Sequence, residues 1–201
     1  MLTSVRHRAG FTLIELLVTI SLIAILLMLA VPAIGTWSAD ARVRSTAESL
    51  QSALRLAQAT AVARNRSTVF TLTNATPTWA ATAATNGSNW YIDVLPLSVS
   101  DESASATGNF IQASTMGSQY GVAISTPYAQ LCFNSLGLQT TKTATYSSLS
   151  VDCENASDPM VYTLTKTGTS RTLKVLVYLG GQVRMCDAAK TLSTTDPDGC
   201  P

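Results

Sequence analysis

The sequence predicts an α+β fold in which one long N-terminal helix packs on an antiparallel, β-rich head. An apolar run extends from Leu16 to Ile34, and after it apolar side chains recur at spacings of three and four from Val43 to Ala61, as on one face of a helix. Beyond Arg66 the chain changes to short segments rich in β-branched and aromatic residues, a pattern typical of strands.

The apolar run is long enough to cross a membrane. Only Glu15, Thr19 and Ser21 interrupt the apolar side chains over residues 13–34, and a spanning helix needs roughly 20 such residues. A secretory signal peptide has a shorter core of about 7–15 residues, and Val31-Pro32-Ala33-Ile34 is a poor cleavage site. A plain anchor leaves Glu15 unexplained, because an unpaired carboxylate is costly inside a bilayer. Glu15 is therefore predicted to be functional.

The second half of the helix is amphipathic. We expect one helix from Thr12 to about Arg64, and the run is too short to favour a coiled coil. Small residues on the packed face should let a sheet approach closely. That face consists of Val43, Ala47, Leu50, Leu54, Ala57 and Ala61, and the opposite face carries Arg42, Glu48, Ser49, Ser52, Arg55 and Thr60.

The head is predicted to be antiparallel β with little or no helix of its own. Leu173, Val175, Val177 and Leu179 alternate with more polar residues, the period of a strand with one buried face. Turns are expected at Ser135-Leu136-Gly137 and at Gly180-Gly181. Ser98–Gly108 and Thr143–Asp158 are predicted loops, and the tail Asp187–Pro201 should be loose unless Cys200 anchors it. The predicted strands are Ser67–Leu72, Asn89–Leu95, Asn109–Ser114, Gly121–Ser125, Gln130–Asn134, Met160–Lys166, Thr172–Leu179 and Gln182–Cys186.

All four cysteines, Cys132, Cys153, Cys186 and Cys200, lie in the head. An even count beyond a membrane segment indicates disulfides in an oxidising compartment. Four cysteines allow three connectivities, and the sequence does not choose among them. Pairing of near neighbours, Cys132 with Cys153 and Cys186 with Cys200, is the simplest expectation. The sequence contains no C-x-x-C pair, the spacing that would suggest a zinc or redox site.

Composition and charge argue against catalysis and nucleic-acid binding. Charged residues make up only 12% of the chain, and residues 67–201 carry more acids than bases, whereas a nucleic-acid binder usually has a basic face. The only histidine is His7, and no phosphate-binding loop or metal-binding motif is present. We therefore predict no enzyme activity, no cofactor and no metal. Asp196-Pro197-Asp198-Gly199 resembles part of a calcium loop, but a turn that returns Cys200 to the head is the simpler interpretation.

The segment Gly10-Phe11-Thr12-Leu13-Ile14-Glu15, behind a basic leader, resembles the processing signature of type IV pilins. The resemblance implies that a prepilin peptidase cleaves after Gly10 and methylates the new N-terminus, Phe11. It implies that Glu15 neutralises a terminal amine during filament entry, and that Pro32 kinks the helix. The implied partners are other minor pilins, the major pilin, the peptidase, an inner-membrane assembly platform and membrane lipid. The resulting segments are a removed leader (1–10), a transmembrane half-helix (11–34), an amphipathic half-helix (35–66) and the head (67–201).

A second resemblance concerns the end of the head. Gly181, Val183, Arg184, Cys186 and Asp187 are similar to a segment of the FimT/FimU minor pilins and GspH pseudopilins, with weaker support from residues 133–137. This resemblance implies a minor pilin that primes or caps a type IV pilus. The alternatives are a GspH-like pseudopilin of a type II secretion system and a FimT-like DNA-uptake receptor. The last is disfavoured because Gly181-Gln182-Val183-Arg184 has one of the two arginines of the Gly-Arg-x-Arg motif. The implied location is the inner membrane, with the head in the periplasm, and then the filament, at its tip.

Overall fold

The long helix begins and ends where the sequence predicts. The computed structural model of the protein describes residues 11–98, 106–146, 148–154 and 158–201, and for residues 29–33 and 106–107 only the backbone. Helix α1 spans Leu13–Arg64, with Thr12 as its N-cap. Asn65 adopts the left-handed conformation that commonly ends helices, and the N–H of Asn65 and of Arg66 donate to carbonyls of the last turns.

The described part of the head consists of short strands and two short helices of four and five residues, α2 (Ala106–Asn109) and α3 (Met116–Tyr120). The strands are β1 (Thr68–Thr73), β2 (Asn89–Val94), β3 (Phe110–Ser114), β4 (Ala123–Ser125), β5 (Gln130–Phe133), β6 (Gln139–Thr140), β7 (Lys142–Tyr146), β8 (Leu149–Cys153), β9 (Met160–Thr165), β10 (Leu173–Val177), β11 (Val183–Thr191) and β12 (Gly199–Cys200).

The strands form two sheets and a separate hairpin. The first sheet has the order β3-β2-β1-β5-β6, the second has the order β12-β11-β10-β9-β4, and β7 pairs with β8. The described pairings are antiparallel except the short parallel pairing of β11 with β12. The predicted α+β architecture, a long helix on an antiparallel head, is confirmed.

The core lies where the second half of α1 meets both sheets. All six residues of the predicted packed face, Val43 through Ala61, are buried. Phe70 of the first sheet meets Tyr162 of the second edge to face, with their ring centroids 5.9 Å apart. Complete burial of Leu50 or Leu54 contributes roughly 1.5–3 kcal/mol each. The other buried residues of this face include the small alanines Ala47, Ala57 and Ala61, so the sheets can lie close to the helix.

The loop predicted over Thr143–Asp158 is wrong for most of its length, because β7 and β8 form a hairpin there. Leu149, Val151 and Cys153 are buried while the residues between them are exposed, so the hairpin has one apolar face despite its polar composition. That face covers the outer side of the first sheet in a second hydrophobic cluster, which includes Val69, Leu95 and Cys132. The segment is ordered by this docking.

Candidate functional site

The residues of the predicted processing and assembly site lie at the free end of α1. The Thr12 hydroxyl accepts a hydrogen bond of 3.3 Å from the backbone N–H of Glu15, so the helix is capped one residue after Phe11. Phe11 is 86% exposed, and the Glu15 side chain is also exposed. Gly10, the predicted cleavage residue, lies outside the described residues.

The first turns of α1 expose apolar side chains that none of the described residues covers. The large hydrophobic residues from Leu13 to Met28 are each about half exposed or more. Two polar residues there are satisfied within the helix, since the hydroxyls of Thr19 and Ser21 donate to the carbonyls of Leu16 and Leu17 at 2.8 Å. Among the described side chains of this stretch, Glu15 is the polar group without such a bond. This arrangement leaves one carboxylate available for a partner from outside the chain.

The prediction of a helix kink at Pro32 remains a prediction, because the side chains of residues 29–33 lie outside the described set. The backbone is assigned to α1 throughout this stretch. Within the described residues, no helical stretch is both long and apolar enough to cross a membrane.

Two disulfides, Cys132–Cys153 and Cys186–Cys200, join near neighbours as expected. The first ties β5 to β8 and so fastens the hairpin to the first sheet. The second holds the end of the tail beside β11, which is longer than predicted and extends to Thr191. The tail is therefore anchored by Cys200 rather than loose.

Arg184, the predicted low-ranked nucleic-acid contact, serves the same C-terminal structure. Its guanidinium donates to the Pro197 carbonyl at 2.8 Å and lies 3.4 Å from the Gly199 carbonyl. The nearby Asp187 carboxylate accepts a hydrogen bond from the backbone N–H of Ala189. A guanidinium committed to two carbonyls has fewer donors for a phosphate.

The acidic turn that resembles part of a calcium loop is paired with a cation of the chain itself. Lys190 Nζ lies 2.8 Å from Asp198 Oδ2 and 3.5 Å from Asp196 Oδ1. The hydrogen bond from Lys190 lowers the pKa of the Asp198 carboxyl. The Gly199 N–H donates to the Asp196 carbonyl, which makes the segment a turn that leads into Cys200.

Sequence reasoning missed Asp93, a fully buried carboxyl in β2. Neither of its oxygens has a hydrogen-bond partner among the described residues. Burial raises the pKa of Asp93 to about 8, because removal from water disfavours the charged form. The sequence signal for this buried acid was its position between Ile92 and Val94, in a strand whose residues from Trp90 onward are otherwise aromatic or aliphatic. Asp93 lies far along the chain from Glu15 and forms no site with it.

Comparison with known families identifies the class of protein to which the chain belongs. Residues 46–181 match the family model of the type II transport protein GspH, and residues 5–31 match that of the prokaryotic N-terminal methylation motif. Because the first match spans well over half of the chain, the protein belongs to the GspH family. The resemblance of the sequence to minor pilins and pseudopilins of this type is confirmed.

Two crystal structures of the type IV minor pilin FimU from Pseudomonas aeruginosa strain PAO1 are similar to the chain. The form in space group P21 has 13% sequence identity and a TM-score of 0.48, and the similarity covers 74% of this chain and 90% of FimU. The form in P65 has 14% identity, a TM-score of 0.46, and coverage of 73% and 94%. No curated protein matches the sequence.

Proposed function

We propose that the protein is a minor pilin, a non-enzymatic subunit that enters or primes a type IV pilus. The observation that carries the proposal is the N-terminal end of α1, where exposed apolar side chains surround one exposed carboxylate, Glu15, that has no side-chain hydrogen bond among the described residues. Such a surface needs either lipid or the helices of neighbouring subunits to cover it. Membership of the GspH family supports a filament subunit of the minor pilin or pseudopilin type.

In the proposed cycle, residues 11–34 anchor the precursor in the inner membrane, with the head in the periplasm. A prepilin peptidase removes residues 1–10 and methylates Phe11. On entry into the filament, Glu15 pairs with the terminal amine of a neighbouring subunit. Because a buried, unpaired charge is costly, this pair favours one axial register over others.

Processing is tested by intact-mass analysis of the protein purified from its native membrane. The proposal predicts a chain that starts at Phe11 and carries one additional methyl group. A mature chain that starts near Ala33 would instead identify a signal peptide and contradict the proposal. Loss of the peptidase gene should leave the leader in place, which provides the control.

A second candidate is a minor pseudopilin of a type II secretion system, which the description of the matched family favours. Both functions would use the same N-terminal helix and the same Glu15 carboxylate for assembly. Deletion of the gene separates them: a minor pilin is required for piliation, whereas a pseudopilin is required for secretion of exoproteins. Normal piliation with failed secretion would select the pseudopilin.

DNA uptake is a third and weaker candidate. The Arg184 contacts with Pro197 and Gly199 and the excess of acids in the head argue against it. A gel-shift titration of residues 37–201 at low and moderate salt tests it, and micromolar, salt-sensitive binding would support it.

A further inference from the structure

A basic groove lies at the base of the head, the end of the head from which the first half of α1 projects. It runs between the helix and the connection from β9 to β10 and has a volume of about 430 Å³. None of the residues that line it is acidic, and it combines two cations with several hydroxyl and backbone groups. The residues that matter here are Thr36, Ser38, Arg42, Lys166, Thr167 and Gly168, and we call them the basal groove.

The loop side of the groove is fixed to the helix by Asp40. The Asp40 carboxylate accepts hydrogen bonds from the Thr169 hydroxyl and from the Ser170 N–H and hydroxyl, the last two at 2.9 and 2.7 Å. Asp40 lines a different groove, beside Trp37 and Arg171. It therefore holds the loop in place without lining the basal groove.

Among the described residues, no acid forms an ion pair with either cation of the basal groove. Arg42 is exposed and takes no part in the ion pairs among the described residues. Lys166 Nζ donates to the Tyr120 carbonyl at 2.6 Å, which orients the ammonium but leaves its charge uncompensated. Two positive charges beside hydroxyl groups are suited to a phosphate or phosphodiester.

The position of the groove along α1 indicates where that phosphate would come from. The 22 residues from Leu13 to Ile34 rise about 33 Å as a helix, close to the roughly 30 Å of a bilayer core. Trp37, which is 73% exposed, follows at the depth where aromatic side chains favour the headgroup region. Side chains of a helix point back toward its N-terminus, so the long Arg42 side chain reaches toward the same layer.

We propose that the basal groove binds the phosphodiester headgroups of anionic phospholipids in the leaflet from which α1 emerges. This inference rests on the proposed membrane anchoring of the monomer. It gives the head a defined orientation on the membrane before assembly, with the β9–β10 loop against the lipid surface. Nucleic acid fits less well, because a long polyanion would also pass the adjacent groove, where three carboxylates (Asp40, Asp187 and Asp198) outnumber two arginines (Arg44 and Arg171).

The test uses the full chain in lipid nanodiscs, with spin-labelled phosphatidylglycerol or phosphatidylcholine as the probe. Electron paramagnetic resonance gives the fraction of each lipid whose motion is restricted by the protein. The wild-type chain should prefer phosphatidylglycerol at low salt, and the preference should weaken at high salt. Arg42→Gln should lower the preference by up to about fivefold, the effect expected of one cation near an anionic surface, and Arg42→Glu should lower it further.

Arg64→Gln is the matched control, because Arg64 is an exposed arginine at the far end of the same helix. Its preference for phosphatidylglycerol should equal that of the wild type. If the wild type restricts both lipids equally, or if the Arg42 and Arg64 variants lose the preference for phosphatidylglycerol equally, the groove assignment is wrong. The proposed membrane anchoring would still stand. No restricted lipid of either kind would overturn the membrane anchoring as well. Loss of the preference on addition of duplex DNA would assign the groove to nucleic acid instead.

Discussion

Asp93 is a carboxylic acid inside an apolar cluster. It lies opposite Val69 of β1, and directly opposite residues of paired strands share a face of the sheet. Val69 belongs to the second hydrophobic cluster, beneath the β7–β8 hairpin. Because neither oxygen of Asp93 has a hydrogen-bond partner in the described part of the chain, the neutral acid is the form that this environment tolerates.

The raised pKa of Asp93 predicts a head that loses stability as the pH rises. The contribution of neutral Asp93 to the free energy of unfolding is fully present below the ordinary aspartate pKa of 3.8. It is lost progressively as the pH rises to about 8. Four pH units correspond to about 5 kcal/mol. Asp93→Asn keeps the shape without the charge, so it should remove this decline. Denaturant unfolding of residues 37–201 between pH 4 and 8 measures it.

Asp152→Asn is the control for this experiment, since Asp152 is an exposed carboxylate in the neighbouring hairpin. The unfolding free energy of this variant should fall as the pH rises, as it does in the parent chain. If Asp93→Asn follows the same decline, the buried carboxyl is not its source.

At the scale of elements, the turn before β11 gives a physical reason for Gly181, one of the residues by which the sequence resembles minor pilins and pseudopilins. Gly181 has a φ of +80°, and a Cβ there would lie 2.1 Å from Gln58 Nε2 and 2.2 Å from the Gly137 carbonyl oxygen. Gln58 Nε2 in turn donates to that carbonyl at 2.8 Å. The glycine thus lets helix, first sheet and second sheet meet at one point.

Gly181→Ala should therefore destabilise the head by about 2 kcal/mol or more, from the left-handed backbone together with the steric conflict. Gly180 provides the comparison, because a Cβ at that position meets nothing within 4 Å. Gly180→Ala should change the free energy of unfolding far less. Similar losses in the two variants would show that the close contact with Gln58 has no energetic weight.

The C-terminal disulfide makes a second prediction at this scale. Cys186 and Cys200 close a loop with a sequence separation of 14, and a disulfide across such a loop stabilises by about 3 kcal/mol. Replacing both by Ala should lower the unfolding free energy by that amount and leave the Cys132–Cys153 bond in place. An unchanged midpoint of denaturation would mean that Arg184 and Lys190 hold the tail without the disulfide.

The elements with a strong local pattern could be predicted from the sequence, and those ordered by docking could not. The 3.6-residue period gave α1 and its packed face, and Thr12 and Asn65 lie at its ends. The β7–β8 hairpin was missed because Thr143, Thr145 and Ser150 obscure its alternation, and its stability depends on contacts with the first sheet. At the site, Phe11 and Glu15 were predicted from their motif. Asp93 and the basal groove depend on what surrounds them in space.

At the scale of the whole molecule, α1 joins two surfaces with different requirements. Its second half is buried against both sheets, which stabilises the head without further partners. In the described part of its first half, apolar side chains are exposed beside the Glu15 carboxylate, and a monomer in water leaves those apolar side chains uncovered. The basal groove lies at the junction between these halves. The proposed assembly step replaces lipid contacts of the first half with contacts to neighbouring helices.

The most direct test of this account measures incorporation of Glu15→Ala into sheared filaments, with membrane levels of the protein determined in parallel. The account predicts normal membrane insertion but at least about tenfold less protein in the filaments, because an unpaired buried charge costs about 3–5 kcal/mol. Thr19→Ala is the control and should assemble normally, since the Thr19 hydroxyl is bonded only within its own helix. Normal recovery of Glu15→Ala in the filaments would contradict the account.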